Sequence, residues 1–169
     1  MTRRLSEEDA AAAAARATPI PSGHRTPRRP RTSLRGLDPA GAPLETQLDC
    51  PSLVVFLSTS CDACQDLAHL VREGVGGFSV LGVLRVPTGG LPSEAISSFV
   101  GSEGRWLLGD DAFGAFEVRS APFFCILDAA GSLVVEGVAF GGGHVADHCA
   151  RVLAGAPEPD TVRLIAEDR

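Results

Sequence analysis

The stretch Leu53-Val54-Val55-Phe56-Leu57-Ser58-Thr59-Ser60-Cys61-Asp62-Ala63-Cys64 carries an apolar block into two cysteines separated by two residues. Five consecutive apolar residues, three of them β-branched or aromatic, read as a buried strand. Beyond it, Cys64, Leu67, Ala68 and Val71 recur at i, i+3, i+4 and i+7, the stripe of an amphipathic helix packed on a sheet. Gly74, Gly76 and Gly77 end that helix. The thiol pair therefore falls at a strand-to-helix junction. Such a pair serves disulfide exchange or half of a structural zinc site, and zinc usually requires a second ligand pair. The chain has no second Cys-x-x-Cys, so redox exchange is the stronger reading.

Working outward, Phe78 to Val86 is a second apolar strand, and a strand-helix-strand unit implies a parallel pair. Ser93 to Val100 reads as a short helix with Ile96, Phe99 and Val100 inward, and Trp106-Leu107-Leu108 as a third strand. Asp110 or Asp111 is placed to cap a helix through Phe113 and Phe116. Phe123 to Leu127 is apolar on both alternating faces, as in a doubly buried strand, and Asp128-Ala129-Ala130-Gly131 turns it into a hairpin with Leu133 to Phe140. A last helix carries Val145, His148, Cys149, Val152 and Leu153 on one face. Upstream, Asp38-Pro39-Ala40-Gly41 is a turn between two short extended pieces, so a hairpin precedes the main strand.

A chain of 169 residues with 44% apolar content holds one domain and its tails. Thr18 to Arg35 is dense in Pro and Arg and too polar to offset ordering entropy, so residues 1–34 are expected to be a disordered basic tail, with a helical turn over Ala10 to Ala15. The domain is expected over 35–156, and Pro157 and Pro159 open a loose C-terminal tail, 157–169. Residues 1–35 carry eight Arg against three acids, whereas the rest carries seven Arg against eighteen acids. A solvated arm, with no specific nucleic-acid partner, is the simpler reading of that basic run. Five unevenly spaced cysteines fit a reducing compartment better than a secreted disulfide framework. The first residues lack the apolar core of a secretory signal, and no run approaches the roughly 18 apolar residues of a membrane span. A cytoplasmic monomer is the expectation, unless a misassigned start hides an export signal.

The order of elements, with a cysteine pair opening the first long helix and Pro122 before a buried strand, resembles the thioredoxin fold, and more closely its redoxin or TlpA-like branch. The matching stretches are Leu37 to Gly41, Val54 to Cys64, Phe116-Glu117-Val118-Arg119-Ser120-Ala121-Pro122-Phe123-Phe124 and Ile126 to Gly131, within roughly residues 36–154. The resemblance implies an α/β fold: a central mixed sheet flanked by helices, with an N-terminal hairpin extension. It implies a thiol:disulfide oxidoreductase with no bound cofactor or metal, acting on a disulfide-containing protein or small thiol and recharged by a dithiol electron donor. Cys61 would be the nucleophile, at or just before the helix N-terminus where the dipole stabilises a thiolate, and Cys64, one turn inside, the resolving thiol. Pro122 would follow a cis peptide bond, turning the N–H and C=O of Ala121 toward an extended substrate.

Several residues depart from the family pattern. Ser60 replaces the aromatic residue that commonly precedes the first cysteine, Val55 the buried acid of thioredoxins, and Ala121 a frequent Thr. Asp62 beside Cys61 opposes its thiolate, which makes a disulfide harder to reduce and points to a reductase rather than a strong oxidant. His148, Cys149 and Cys125 read as core residues, Cys50 as an exposed thiol, His69 as solvent-facing and Arg119 as surface cover. Two other functions are compatible with the same fold. A thiol peroxidase would use Ser58, three residues before Cys61, although Val54 stands where its proline is expected; a binding module would leave the pair structural.

Overall fold

The computed structural model describes residue 30 and residues 32–87, 89–90 and 93–156. Its elements are β1 (Ser33–Leu37), β2 (Pro43–Gln47), β3 (Ser52–Ser58), α1 (Cys64–Glu73), β4 (Ser79–Arg85), α2 (Ser93–Val100), β5 (Arg105–Leu108), α3 (Asp111–Ala115), β6 (Phe123–Leu127), β7 (Leu133–Val138) and α4 (Gly142–Leu153). They form one mixed sheet in the order β2-β1-β5-β4-β3-β6-β7. β3 and β4 pair in parallel from Ser52↔Ser79 to Ser58↔Arg85, a pairing that requires the α1 crossover, and β4 pairs in parallel with β5. β6 runs antiparallel to β3 and turns back into β7.

The alternation of a strand sends successive side chains of β3 to opposite faces. Leu53, Val55 and Leu57 join α1, α2 and α4 in one buried cluster; Val54 and Phe56 join α3 in another. On the second face Phe56 meets Phe113 edge-on at 5.0 Å and Phe116 at 5.5 Å. On the first face Gly82 is required: a Cβ there would lie 2.6 Å from the Trp106 ring.

Both predicted Asp-x-x-Gly turns form, and the aspartate explains them. The Asp38 carboxylate accepts the Ala42 N–H at 2.8 Å, and that of Asp128 accepts those of Ala130 and Ser132 at 2.9 Å each. Gly41 and Gly131 take the positive φ each turn demands, +87° and +76°. The N-terminal hairpin is anchored by Arg105, whose guanidinium reaches Thr46, Gln47, Asp49 and Ser79.

Several expectations need correction. β1 starts at Ser33, and Leu34 is fully buried in the second cluster, so the described strand begins inside the stretch assigned to the tail, held by that side chain and by pairing with β2 along its whole length. The rest of residues 1–34, apart from 30 and 32, lies outside the described residues, as does 157–169. Neither aspartate caps α3 with its side chain. Asp110 binds the Arg85 guanidinium at 2.9 Å and Asp111 accepts the Arg35 backbone N–H at 3.1 Å, so both carboxylates are engaged by residues of other strands. Leu153 falls off the buried stripe of α4 and is 55% exposed. Among the described residues no helix is long and apolar enough to cross a membrane.

Candidate active site

At the carboxyl end of β3 the chain makes two successive turns: Cys61 N–H donates to the Ser58 carbonyl at 3.3 Å, and Cys64 N–H to the Cys61 carbonyl at 3.0 Å. The second turn brings the Cα atoms of Cys61 and Cys64 to 5.3 Å, within disulfide reach, and the two are joined as a disulfide. Cys64 is the first residue of α1 rather than one turn inside it, because Asp62 and Ala63 complete the turn instead of starting the helix. Cys61 precedes the helix by three residues, still before its amino end.

The two sulfurs are unequal. Cys64 has no solvent exposure and belongs to the first cluster; Cys61 is half-buried and packs on that cluster from outside. Ser60 is exposed, and its hydroxyl meets that of Ser58 at 2.9 Å, so Ser58 is engaged beside the pair.

Ala121 and Pro122 precede β6, whose register (Phe56↔Phe123) carries them to the same end of β3. Their peptide bond is cis. Ala121 packs on the cluster that Cys61 also touches, and the Pro122 carbonyl accepts the Ala139 N–H at 3.3 Å. Among the described residues the N–H and C=O of Ala121 make no backbone hydrogen bond. The approach to Ala121 is organised by Arg85, which bonds the Arg119 carbonyl at 3.0 Å and lies 3.9 Å over the Phe113 ring. Arg119 thus contributes its backbone here. Sequence reading missed Arg85, whose partners are 25 and 34 residues away.

A second missed feature adjoins the site. Val55 pairs with Phe124, and the Phe124 ring meets those of His144 and His148 at 5.8 and 5.4 Å. The two Nε2 atoms are 3.2 Å apart, and His144 Nδ1 accepts the Phe140 N–H at 3.4 Å. With Nδ1 accepting, the proton of neutral His144 sits on Nε2, toward His148. Burial, and then His148, hold His144 below its ordinary value, with Asp147 opposing. The i, i+4 spacing of the histidines was the available signal. α4 is also tied to α1, because the Asp66 carboxylate accepts the Gly142 N–H at 2.8 Å.

The remaining candidates stand apart. His69 is exposed, His148 is buried, and Cys50, Cys125 and Cys149 remain thiols, the last two buried. Cys50 is half-buried rather than exposed, its sulfur accepting from the Ser52 hydroxyl at 3.8 Å; the Cys50–Pro51 bond is a second cis peptide. A shallow cleft of about 380 Å³, lined by Arg72, Val75, Phe78 and Arg105, adjoins the far end of α1.

No protein-family model matches the chain, and no curated protein matches it significantly. Solved structures do. One is a thio-disulfide isomerase from Thermus thermophilus, 22% identical, covering 79% of this chain and 100% of its own, with a TM-score of 0.53. Another is the thioredoxin domain of a thiol-disulfide oxidoreductase from Bacteroides vulgatus, 16% identical, covering 76% and 97%, at 0.56. A third is a secreted Mycobacterium tuberculosis disulfide oxidoreductase homologous to DsbE of E. coli, 15% identical, covering 69% and 93%, at 0.53. The fold of this chain is thioredoxin-like, as its motifs implied.

Proposed function

We propose that the protein is a thiol:disulfide oxidoreductase working as a reductase, with Cys61 as nucleophile and Cys64 as resolving thiol. The observation that carries this reading is the unequal burial of a bonded pair: solvent reaches Cys61, while Cys64 lies behind it in the core. In the reduced protein the Cys61 thiolate attacks a substrate disulfide, forming a mixed disulfide and releasing one substrate thiol. The Cys64 thiolate then attacks the Cys61 sulfur, restoring the Cys61–Cys64 disulfide and releasing the second thiol. Two electrons and two protons pass to the substrate, and a dithiol donor returns them.

Ala121 and Pro122 form the substrate shelf, the N–H and C=O of Ala121, which have no backbone partner among the described residues, offering a strand-like bond pair to an extended chain. Asp62, exposed beside Cys61, favours the reducing direction. The protein acts as a cytoplasmic monomer and its basic tail as a solvated arm, although the Mycobacterium tuberculosis neighbour is secreted. The test is a Cys64→Ser variant, in which mixed disulfides should accumulate through Cys61 while the unaltered protein reduces insulin. Peroxide consumption without insulin reduction would favour a peroxidase, and an inert Cys61 a binding module.

A further inference from the structure

Phe140 is 72% exposed, the most exposed large apolar side chain among the described residues. Single exposed apolar residues are ordinary on protein surfaces. Phe140 differs in where it stands and in how firmly it is held there. Ala139 before it is buried and donates its N–H to the carbonyl of Pro122. Two residues after it, Gly142 donates to Asp66, in the first turn of the helix that Cys64 opens. The Phe140 side chain therefore springs from a loop pinned on one side to the cis-proline and on the other to the start of α1.

The residue itself is clamped as well. Its N–H donates to His144 Nδ1, and its ring meets the His144 ring at 5.3 Å and 73°, edge to face. Gly141 takes φ +118°, so the backbone turns sharply into α4 immediately after the exposed ring. An apolar side chain denied the core by its own anchoring is available to a partner. Meanwhile Ser60, immediately before Cys61, is exposed and polar.

We propose that Phe140 is the docking aromatic of this site, packing against the polypeptide that flanks a substrate disulfide, with His144 as its positioning residue. The proposal deepens the oxidoreductase reading and rests on it. The occupant is an extended polypeptide rather than a small disulfide, because two features spaced along a chain are offered together: the backbone pair of Ala121 and the Phe140 ring, joined by the Ala139 to Pro122 bond. A small disulfide reaching Cys61 needs neither.

The experiment is stopped-flow reaction of the reduced protein with insulin and, separately, with bis(2-hydroxyethyl) disulfide. Phe140→Ala should slow the insulin reaction about tenfold, the loss expected when one aromatic contact is removed, and leave the small-disulfide rate unchanged. Phe140→Trp should restore the insulin rate. His144→Ala should follow Phe140→Ala in direction, with the equilibrium against glutathione unmoved in both. Equal slowing with both substrates, or a shifted glutathione equilibrium, would assign Phe140 to the architecture of the pair and overturn the proposal. An unchanged insulin rate would overturn it too, while leaving the exchange chemistry standing. If the unaltered protein reduced neither substrate, the oxidoreductase reading itself would fall.

Discussion

Both faces of the sheet are covered by apolar clusters, and they do different work. The α3 face is closed by interlocking aromatics, Phe56 against Phe113 and Phe116, with Arg85 laid over the Phe113 ring. The face under α1, α2 and α4 contains Cys64, and against Phe124 it seats a histidine pair. Here the starts of two helices, α1 and α4, are laced together by Asp66 and Gly142. The difference teaches that burial alone does not make a site. One face gathers helix starts, loop ends and polar atoms at the carboxyl end of β3, while the other packs rings.

Substitutions should separate the faces cleanly. Cys61→Ser is expected to abolish disulfide reduction altogether, with the circular dichroism of the folded domain retained, whereas Cys64→Ser should stop after the first exchange. On the other face Phe56→Ala should cost about 3–5 kcal/mol of stability in urea unfolding, with exchange activity per folded molecule intact. A loss of activity without loss of stability in that variant would break the comparison. Removing the Arg105 guanidinium with Arg105→Ala should cost about 1–2 kcal/mol by loosening the hairpin, again sparing exchange.

Smaller effects sharpen the picture on the face of the disulfide. His144 is held below its ordinary 6.5, so its neutral form is favoured in the folded protein. Its contribution to stability is fully present above pH 6.5 and is lost as pH falls through the lowered folded value. Burial sets this first and His148 second, with Asp147 opposing from the same helix. Thermal melts should therefore show an acid-side drop that is smaller in His144→Gln. The smallest expected effect is that of Asp62→Asn, which relieves the charge beside Cys61 and should raise the reduction potential by about 10–20 mV against glutathione.

Much of this was legible in the chain. The apolar block of β3, the Cys64-Leu67-Ala68-Val71 stripe, both Asp-x-x-Gly turns and the doubly buried β6 follow from periodicity and turn chemistry. His148 was read as a core residue and is buried, but its partnership with His144 and Phe124 was not legible, since ring contacts depend on where α4 lands on Phe124. The cap assigned to Asp110 or Asp111 failed for a related reason: Arg85 and Arg35 arrive from other strands.

By itself the sequence determined the elements and the spacing of the two thiols, because strand alternation, helical stripes and turn aspartates act over a few residues. Only the tertiary structure decided that Cys64 is buried and Cys61 half-open, that Ala121 comes to the same end of β3, and that Phe140 is left exposed. Those facts rest on contacts such as Gly142 with Asp66, 76 residues apart, which exist only once the sheet has brought helix starts and loop ends together.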